Sequence, residues 1–209
     1  MKSKNVLLEK SLLYLILDKP DFSRLPYDGV GIIQLRDKFS GKRQILSSAI
    51  KLASRLSKTK TLFIINDYID VALACKADGV HLGQDDIPLK AARSLLGKDK
   101  IIGISCHNLR QALKAQKEGA DYIGIGPIYP SVTKPEYEAI GLKVLRKLKD
   151  KIKIPYFAIG DIREGNIKEI SASGARRIAV CRAILEAGDP NRAASQLFDK
   201  IKENQPKIK

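Results

Sequence analysis

Residues 31–67 read GIIQLRDKFSGKRQILSSAIKLASRLSKTKTLFIIND. The stretch opens on GIIQLR and closes on LFIIND, two apolar runs of the length that buried parallel strands take. Between them Ile45, Ala49, Leu52, Ala53 and Leu56 share one face of a helix expected over 41–60, and Lys and Arg fill the other. Strand, helix, strand in this order means parallel strands joined by a crossover. The same rhythm runs outward in both directions. Further strand-like runs are LLYLILD (12–18), GVHLG (79–83), IIGISC (101–106), YIGIGP (122–127), IPYFAIG (154–160) and RIAVCR (177–182). Helical spacing recurs at 109–119 and 141–151, and Pro190 opens a last helix carrying Leu197 and Ile201. Eight such units in 209 residues match the lower size range of a (β/α)8 TIM barrel. Periodicity does not show closure, so a doubly wound open sheet is the alternative. The expectation is one α/β barrel domain over 1–209, with 1–11 as a short N-terminal extension, 203–209 as a basic tail and no linker.

Hydrophobic residues make up 44% of the chain, enough for an ordinary core and against disorder. No apolar run reaches the roughly 18–20 residues of a membrane span. Glu9 and Lys10 interrupt the apolar part of the first residues and no small-residue cleavage site follows, so LLYLILD reads as a strand rather than a leader. Cys75, Cys106 and Cys181 are odd in number, widely spaced and outside any CxxC pair. That argues against a disulfide framework or a zinc site and for a reducing, cytoplasmic setting. Cys106 and Cys181 lie in apolar runs and read as core. The net charge of +15 suits a polyanionic partner: nucleic acid, a membrane surface or a phosphorylated small molecule. RNA-binding signatures are missing, and 6% aromatic residues without Trp give little for base stacking.

In a TIM barrel the active site forms at the C-terminal ends of the strands. Polar residues gather at those ends here: Gln34, Arg36 and Lys38 after the second strand, Asn66 and Asp67 after the third, Gln84, Asp85 and Asp86 after the fourth, Ser105 and His107 after the fifth. The sixth runs into Ser131, Thr133 and Lys134, and the last two end in Gly160-Asp161 and Cys181-Arg182. Carboxylates at Asp67 and Asp86 facing the cations Arg36, Lys38 and Lys134 suggest Mg²⁺ shared with substrate phosphates. Loops after the seventh and eighth strands often hold a phosphate on backbone N–H groups. An anionic substrate with more than one phosphate follows. Taken singly, the residues have plainer readings: QLRDK as a solvated strand end, Asp67 and Asp86 as helix caps, His81 as a core or rim histidine, His107 as either, the glycines as turn formers. Six strands ending in compatible groups weigh against taking them singly.

Six segments, IIQLRDK (32–38), IINDYIDVALACKADGVHLGQDDIP (64–88), GISCHN (103–108), GADYIGIGPIYPSVTKP (119–135), YFAIGDIREGNI (156–167) and GARRIAVCRAI (174–184), resemble the thiamine phosphate synthase/thiazole tautomerase family, and the likeness spans nearly the whole chain. The resemblance implies a (β/α)8 barrel that, with Mg²⁺, joins hydroxymethylpyrimidine diphosphate to hydroxyethylthiazole phosphate. Thiamine monophosphate and pyrophosphate are the implied products. It implies a pyrimidine diphosphate site at Gln34, Leu35, Arg36, Asp37, Lys38, Asn66, Ser105 and Lys134, with Arg36, Lys38, Ser105 and Lys134 catalytic. The implied Mg²⁺ ligands are Asp67 and Asp86, and the implied thiazole phosphate site is Ser131, Val132, Thr133, Asp161, Cys181 and Arg182. The implied reaction is dissociative: the C–O bond to pyrophosphate breaks and the thiazole nitrogen captures the pyrimidinylmethyl cation.

Family members often read AIGGI where this chain has AIGDI, so Asp161 brings a carboxylate to the phosphate site, with Arg182 and Arg176 or Arg177 as the expected counterweight. Arg182 itself stands where many members carry a small residue. Two other functions compete. A thiazole tautomerase on the same barrel would use His107 to carry a proton, and a non-catalytic barrel would use the +15 charge to bind nucleic acid or regulate. The cations and the carboxylate pair favour the synthase. Its partners are phosphorylated small molecules rather than nucleic acid or membrane, and homo-oligomerisation is compatible with it.

Overall fold

Two-residue alternation sorts the strand side chains into an inner and an outer layer. A computed structural model describes residues 4–18, 25, 27–130 and 138–205. The strands are β1 (Leu13–Leu17), β2 (Val30–Leu35), β3 (Leu62–Asn66), β4 (Gly79–Leu82), β5 (Ile101–Cys106), β6 (Tyr122–Ile125), β7 (Tyr156–Ile159) and β8 (Ile178–Val180). They pair in parallel and in chain order, and β1 closes on β8 through Leu13↔Ile178, Tyr14↔Ala179 and Leu15↔Val180. The sheet is therefore a closed barrel, not an open doubly wound sheet. Outward-facing Leu15, Ile33, Phe63, Val80, Ile102 and Ile123 pack under the helices. Inward-facing Tyr14, Ile32, Ile64, Ile101, Tyr122 and Phe157 fill the barrel itself.

The helices are α1 (Lys4–Lys10), α2 (Lys42–Leu56), α3 (Ile69–Ala74), α4 (Leu89–Leu96), α5 (Leu109–Glu118), α6 (Lys143–Leu148), α7 (Ile167–Ala172), α8 (Arg182–Leu185) and α9 (Pro190–Glu203). α2 buries Ile45, Ala49, Leu52 and Leu56, the apolar stripe of the opening stretch. It stops at Leu56, short of the expected residue 60, where the Thr59 amide and hydroxyl bond back to the Leu56 carbonyl at 2.9 and 2.8 Å. Asn108 starts α5 by accepting from the Gln111 amide at 2.9 Å, and Asp189 starts α9 in the same way on the Arg192 amide at 3.1 Å. β7 and β8 are shorter than expected at both ends; at their C-terminal ends Gly160, Cys181 and Arg182 leave the ladder and line the mouth described below. Among the described residues no helix is long and apolar enough to cross a membrane.

The segment read as an N-terminal extension carries α1, whose Leu8 is buried with the inner-layer residues and so closes the N-terminal end of the barrel. Carboxylates pin strand starts at that same end. Asp78 accepts from the Phe63 amide at 2.9 Å and pairs with Lys4 at 3.1 Å. Asp121 accepts from the Ile102 amide at 2.7 Å and pairs with Arg93 at 2.6 Å. This end is a fastened floor, which leaves the other end for chemistry. Leu8→Ala is expected to lower stability by about 2–4 kcal/mol in urea unfolding, because the cavity it leaves is walled by a rigid sheet. A loss below about 1 kcal/mol would mean α1 is not part of the floor. Residues 206–209, most of the basic tail, lie outside the described residues.

Candidate active site

The C-terminal mouth opens into a cavity of about 380 Å³. Tyr14, Ile16, Phe157 and Ile159 give it apolar walls, while Gln34, Arg36, Asn66, His81 and Ser105 supply polar groups from β2 to β5. Across the bottom, side-chain atoms from β2, β1, β6, β4 and β5 form one continuous chain. Gln34 Nε2 donates to Tyr14 Oη at 2.7 Å, and Tyr14 Oη lies 2.8 Å from Tyr122 Oη. His81 Nδ1 lies 3.0 Å from Tyr122 Oη, and His81 Nε2 lies 2.9 Å from Ser105 Oγ. Tyr122 reaches this position because residue 103 is glycine: a Cβ there would stand 2.0 Å from the Tyr122 ring. His81 is thus a buried, bonded histidine, as its plainer reading expects, and it also supports Ser105.

One rim is acidic and basic together. Asp67 follows β3 directly and sits in the left-handed region at φ 61°, with its amide donating to the His81 carbonyl at 2.9 Å. Non-glycine residues in that region are uncommon and mark sites worth attention. The Lys38 ammonium donates to the Asp67 carboxylate. Burial raises the Asp67 pKa above the ordinary carboxylate value; Lys38 opposes this and the neighbouring Asp86 carboxylate adds to it. Asp86 is held in turn by the Gly83 amide, 2.6 Å from its Oδ2, and Gln84 Nε2 donates to the Ser105 carbonyl at 2.6 Å. Neither carboxylate caps a helix, since α3 and α4 start without a side-chain cap. Among the described residues no cluster of three or more metal-ligating side chains forms, so the pair is the donor set available. Two adjoining carboxylates, one reluctant to ionise, fit a hard divalent ion that draws its remaining oxygens from water and phosphate.

The opposite rim carries Asp161, also left-handed at φ 44°. Its carboxylate accepts from Arg163 at 2.8 Å and from Arg182 at 3.4 Å. The counterweight is therefore Arg182 with Arg163. Arg177 instead donates to the Glu9 carbonyl at 2.8 Å, on the floor side. Cys181 corrects its reading as core: both it and Cys106 line the cavity, but Cys106 is buried and Cys181 only half-buried. Burial pushes its thiol pKa up to about 12, with Asp18 adding to the shift.

Within the QLRDK segment, Arg36 lines the cavity while the Leu35 side chain packs outward beneath the helices. The Asp37 carboxylate turns back to the Phe39 and Ser40 amides, both 2.9 Å away. Leu35, Asp37 and Lys38 are not part of the cavity lining. His107 sits at the mouth and donates from Nδ1 to the Gly126 carbonyl at 2.6 Å. Ser131, Val132, Thr133 and Lys134 lie outside the described residues. The polar lining residues not anticipated are Tyr14, Asp18, Tyr122, Arg163 and Glu186. Asp18 ends LLYLILD, so the strand-end rule itself picks it out. The two tyrosines read as ordinary strand residues and carry no such signal.

The profile of the thiamine monophosphate synthase family matches residues 22–184. The thiamine-phosphate synthase of Shouchella clausii is 46% identical over 176 residues, which cover 84% of each chain. That of Gloeobacter violaceus is 43% identical over 173 residues, covering 83% of this chain and 51% of that longer one. A solved structure, thiamine phosphate pyrophosphorylase from Pyrococcus furiosus, aligns with a TM-score of 0.84 at 35% identity, covering 96% of this chain and 100% of that one. The matched span runs from before β2 to α8 and so takes in the residues of both charged groups at the mouth and the strands β2 to β8; the chain belongs to the thiamine monophosphate synthase family.

Proposed function

We propose that this cavity joins hydroxymethylpyrimidine diphosphate to hydroxyethylthiazole phosphate, releasing pyrophosphate and forming thiamine monophosphate, a transferase step of thiamine biosynthesis. The observation that carries the reading is a pair of charged groups at the strand ends: Arg163–Asp161–Arg182 in the lining of the cavity, and Lys38–Asp67–Asp86 beside it, next in the chain to the lining residue Asn66. Joining two phosphorylated halves needs one anion site for each, with apolar wall between.

Asp67 and Asp86 would hold Mg²⁺ at the first rim. When bound there, the ion supplies positive charge to diphosphate oxygens, as metal ions do for departing phosphates. Arg36 and Lys38 add cationic donors, and Asn66 and Ser105 add neutral ones; all are in place before the C–O bond breaks, so charge developing on pyrophosphate meets fixed partners. Ile16, Phe157 and Ile159 keep water from the pyrimidinylmethyl cation until the thiazole nitrogen captures it. The second rim takes the thiazole phosphate through main chain at Asp161 and Cys181 and the Arg182 guanidinium. Ser131, Val132 and Thr133 serve that same phosphate and Lys134 the diphosphate.

Calorimetric titration with pyrophosphate tests the residue assignment. Binding is expected to require Mg²⁺ and to weaken in Asp67→Asn. Equal binding with a chelator present would remove Asp67 and Asp86 from the metal role. Asp161→Gly is expected to lower KM for the thiazole phosphate about three- to tenfold, since glycine suits φ 44° and both arginines lose their internal carboxylate partner. An unchanged or higher KM in steady-state kinetics would mean Asp161 assists the site.

A further inference from the structure

We propose that Tyr14, Tyr122 and His81 form a hydrogen-bond relay of fixed direction, set by the Gln34 amide, that holds Ser105 as a hydrogen-bond donor toward the substrate. The inference rests on the reading above, in which Ser105 faces the pyrimidine diphosphate. The protons available to each group set the direction. A phenol has one proton and a carboxamide NH₂ only donates. Tyr14 Oη accepts from Gln34 Nε2 at 2.7 Å, so its own proton goes to Tyr122 Oη at 2.8 Å. Tyr122 then passes its proton to its other partner, His81 Nδ1, at 3.0 Å. A ring nitrogen that accepts carries no proton, so neutral His81 is protonated on Nε2 and donates to Ser105 Oγ at 2.9 Å. The Ser105 hydroxyl keeps its proton for the cavity that it lines.

Gln34, Tyr14, Tyr122 and His81 are all buried and bond directly to one another, so the sequence needs no bridging water. Burial also drives both phenols far above their ordinary pKa, which keeps one proton on each. Direction has a consequence. With the Gln34 amide reversed, Tyr14 would donate to Gln34, His81 would carry its proton on Nδ1, and Ser105 would commit its proton to His81. It would then turn only oxygen lone pairs toward an anionic diphosphate, which needs donors. The relay therefore decides whether Ser105 attracts or repels the substrate. Tyr14, Tyr122 and His81 are positioning residues acting through it.

Nitrogen-15 NMR of the histidine rings reads the relay directly. The chain has two histidines, and His107→Gln assigns the second. His81 is expected to show a protonated Nε2 and an unprotonated Nδ1 at neutral pH, and Tyr122→Phe, which removes the donor to Nδ1, is expected to let the two tautomers mix. A proton on Nδ1 in the unmodified protein would overturn the assigned direction. Tyr122→Phe keeps the ring contacts with Tyr14 and Phe157, at 5.8 and 5.7 Å between centroids. It is expected to lower kcat about tenfold in the native background and less than about twofold beside Ser105→Ala. Equal losses in the two backgrounds would make Tyr122 a packing residue. The tautomer signature does not depend on which product the enzyme makes, so failure of the relay and failure of the synthase reading are separable.

Discussion

Asp67→Asn is expected to lower kcat/KM about 10²–10³-fold and to raise the Mg²⁺ concentration that gives half-maximal rate, the size of effect seen when one preorganised charge partner is lost. Asparagine keeps the shape of the side chain and tolerates the left-handed backbone at φ 61°. What changes is charge. Lys38 loses its counterion, and Asp86 loses its partner carboxylate. Asp70→Asn is the control: Asp70 pairs with Lys42 at 3.0 Å on the exposed surface, where such a pair is worth little. Steady-state rates across a Mg²⁺ series check both variants. A loss below about fivefold in Asp67→Asn, with unchanged metal dependence, would show that the carboxylate pair does not serve the leaving group.

Gly103→Ala is expected to lower stability by about 3 kcal/mol and to reduce activity with it. The added methyl would stand 2.0 Å from Cζ and 2.5 Å from Oη of Tyr122. That ring is fully buried and packs edge-on against Phe157 at 5.7 Å, so it has no open space to enter. Moving it pulls Oη away from both Tyr14 and His81. Urea unfolding and kcat on the same preparation are the measurements. Stability within about 1 kcal/mol of the native protein would mean that the barrel interior yields more than its packing indicates.

Ile45, Ala49, Leu52 and Leu56 announced α2 because a helix face and an apolar spacing are the same fact. Closure had no such local sign. It depends on Leu13, Tyr14 and Leu15 meeting Ile178, Ala179 and Val180 from the far end of the chain. At the mouth, Lys38, Asp67 and Asp86 were readable because strand ends in a barrel converge, and the structure does bring those three together. Tyr14 and Tyr122 were not, since a phenol in an apolar strand shows its packing in the sequence and hides its hydroxyl partner. Arg163 rather than Arg176 or Arg177 pairs with Asp161 because the turn after β7 folds back on itself, which spacing along the chain does not reveal. Asp161 and Asp67 share a backbone conformation that composition associates with glycine, so their strain was likewise invisible.

On the proposed function, one mouth serves two phosphorylated halves. Purified protein supplied with hydroxymethylpyrimidine diphosphate, hydroxyethylthiazole phosphate and Mg²⁺ should form thiamine monophosphate and pyrophosphate in equal amounts, and a chelator should stop both. Folded protein that forms neither product, or that instead rearranges a thiazole carboxylate phosphate, would contradict the claim.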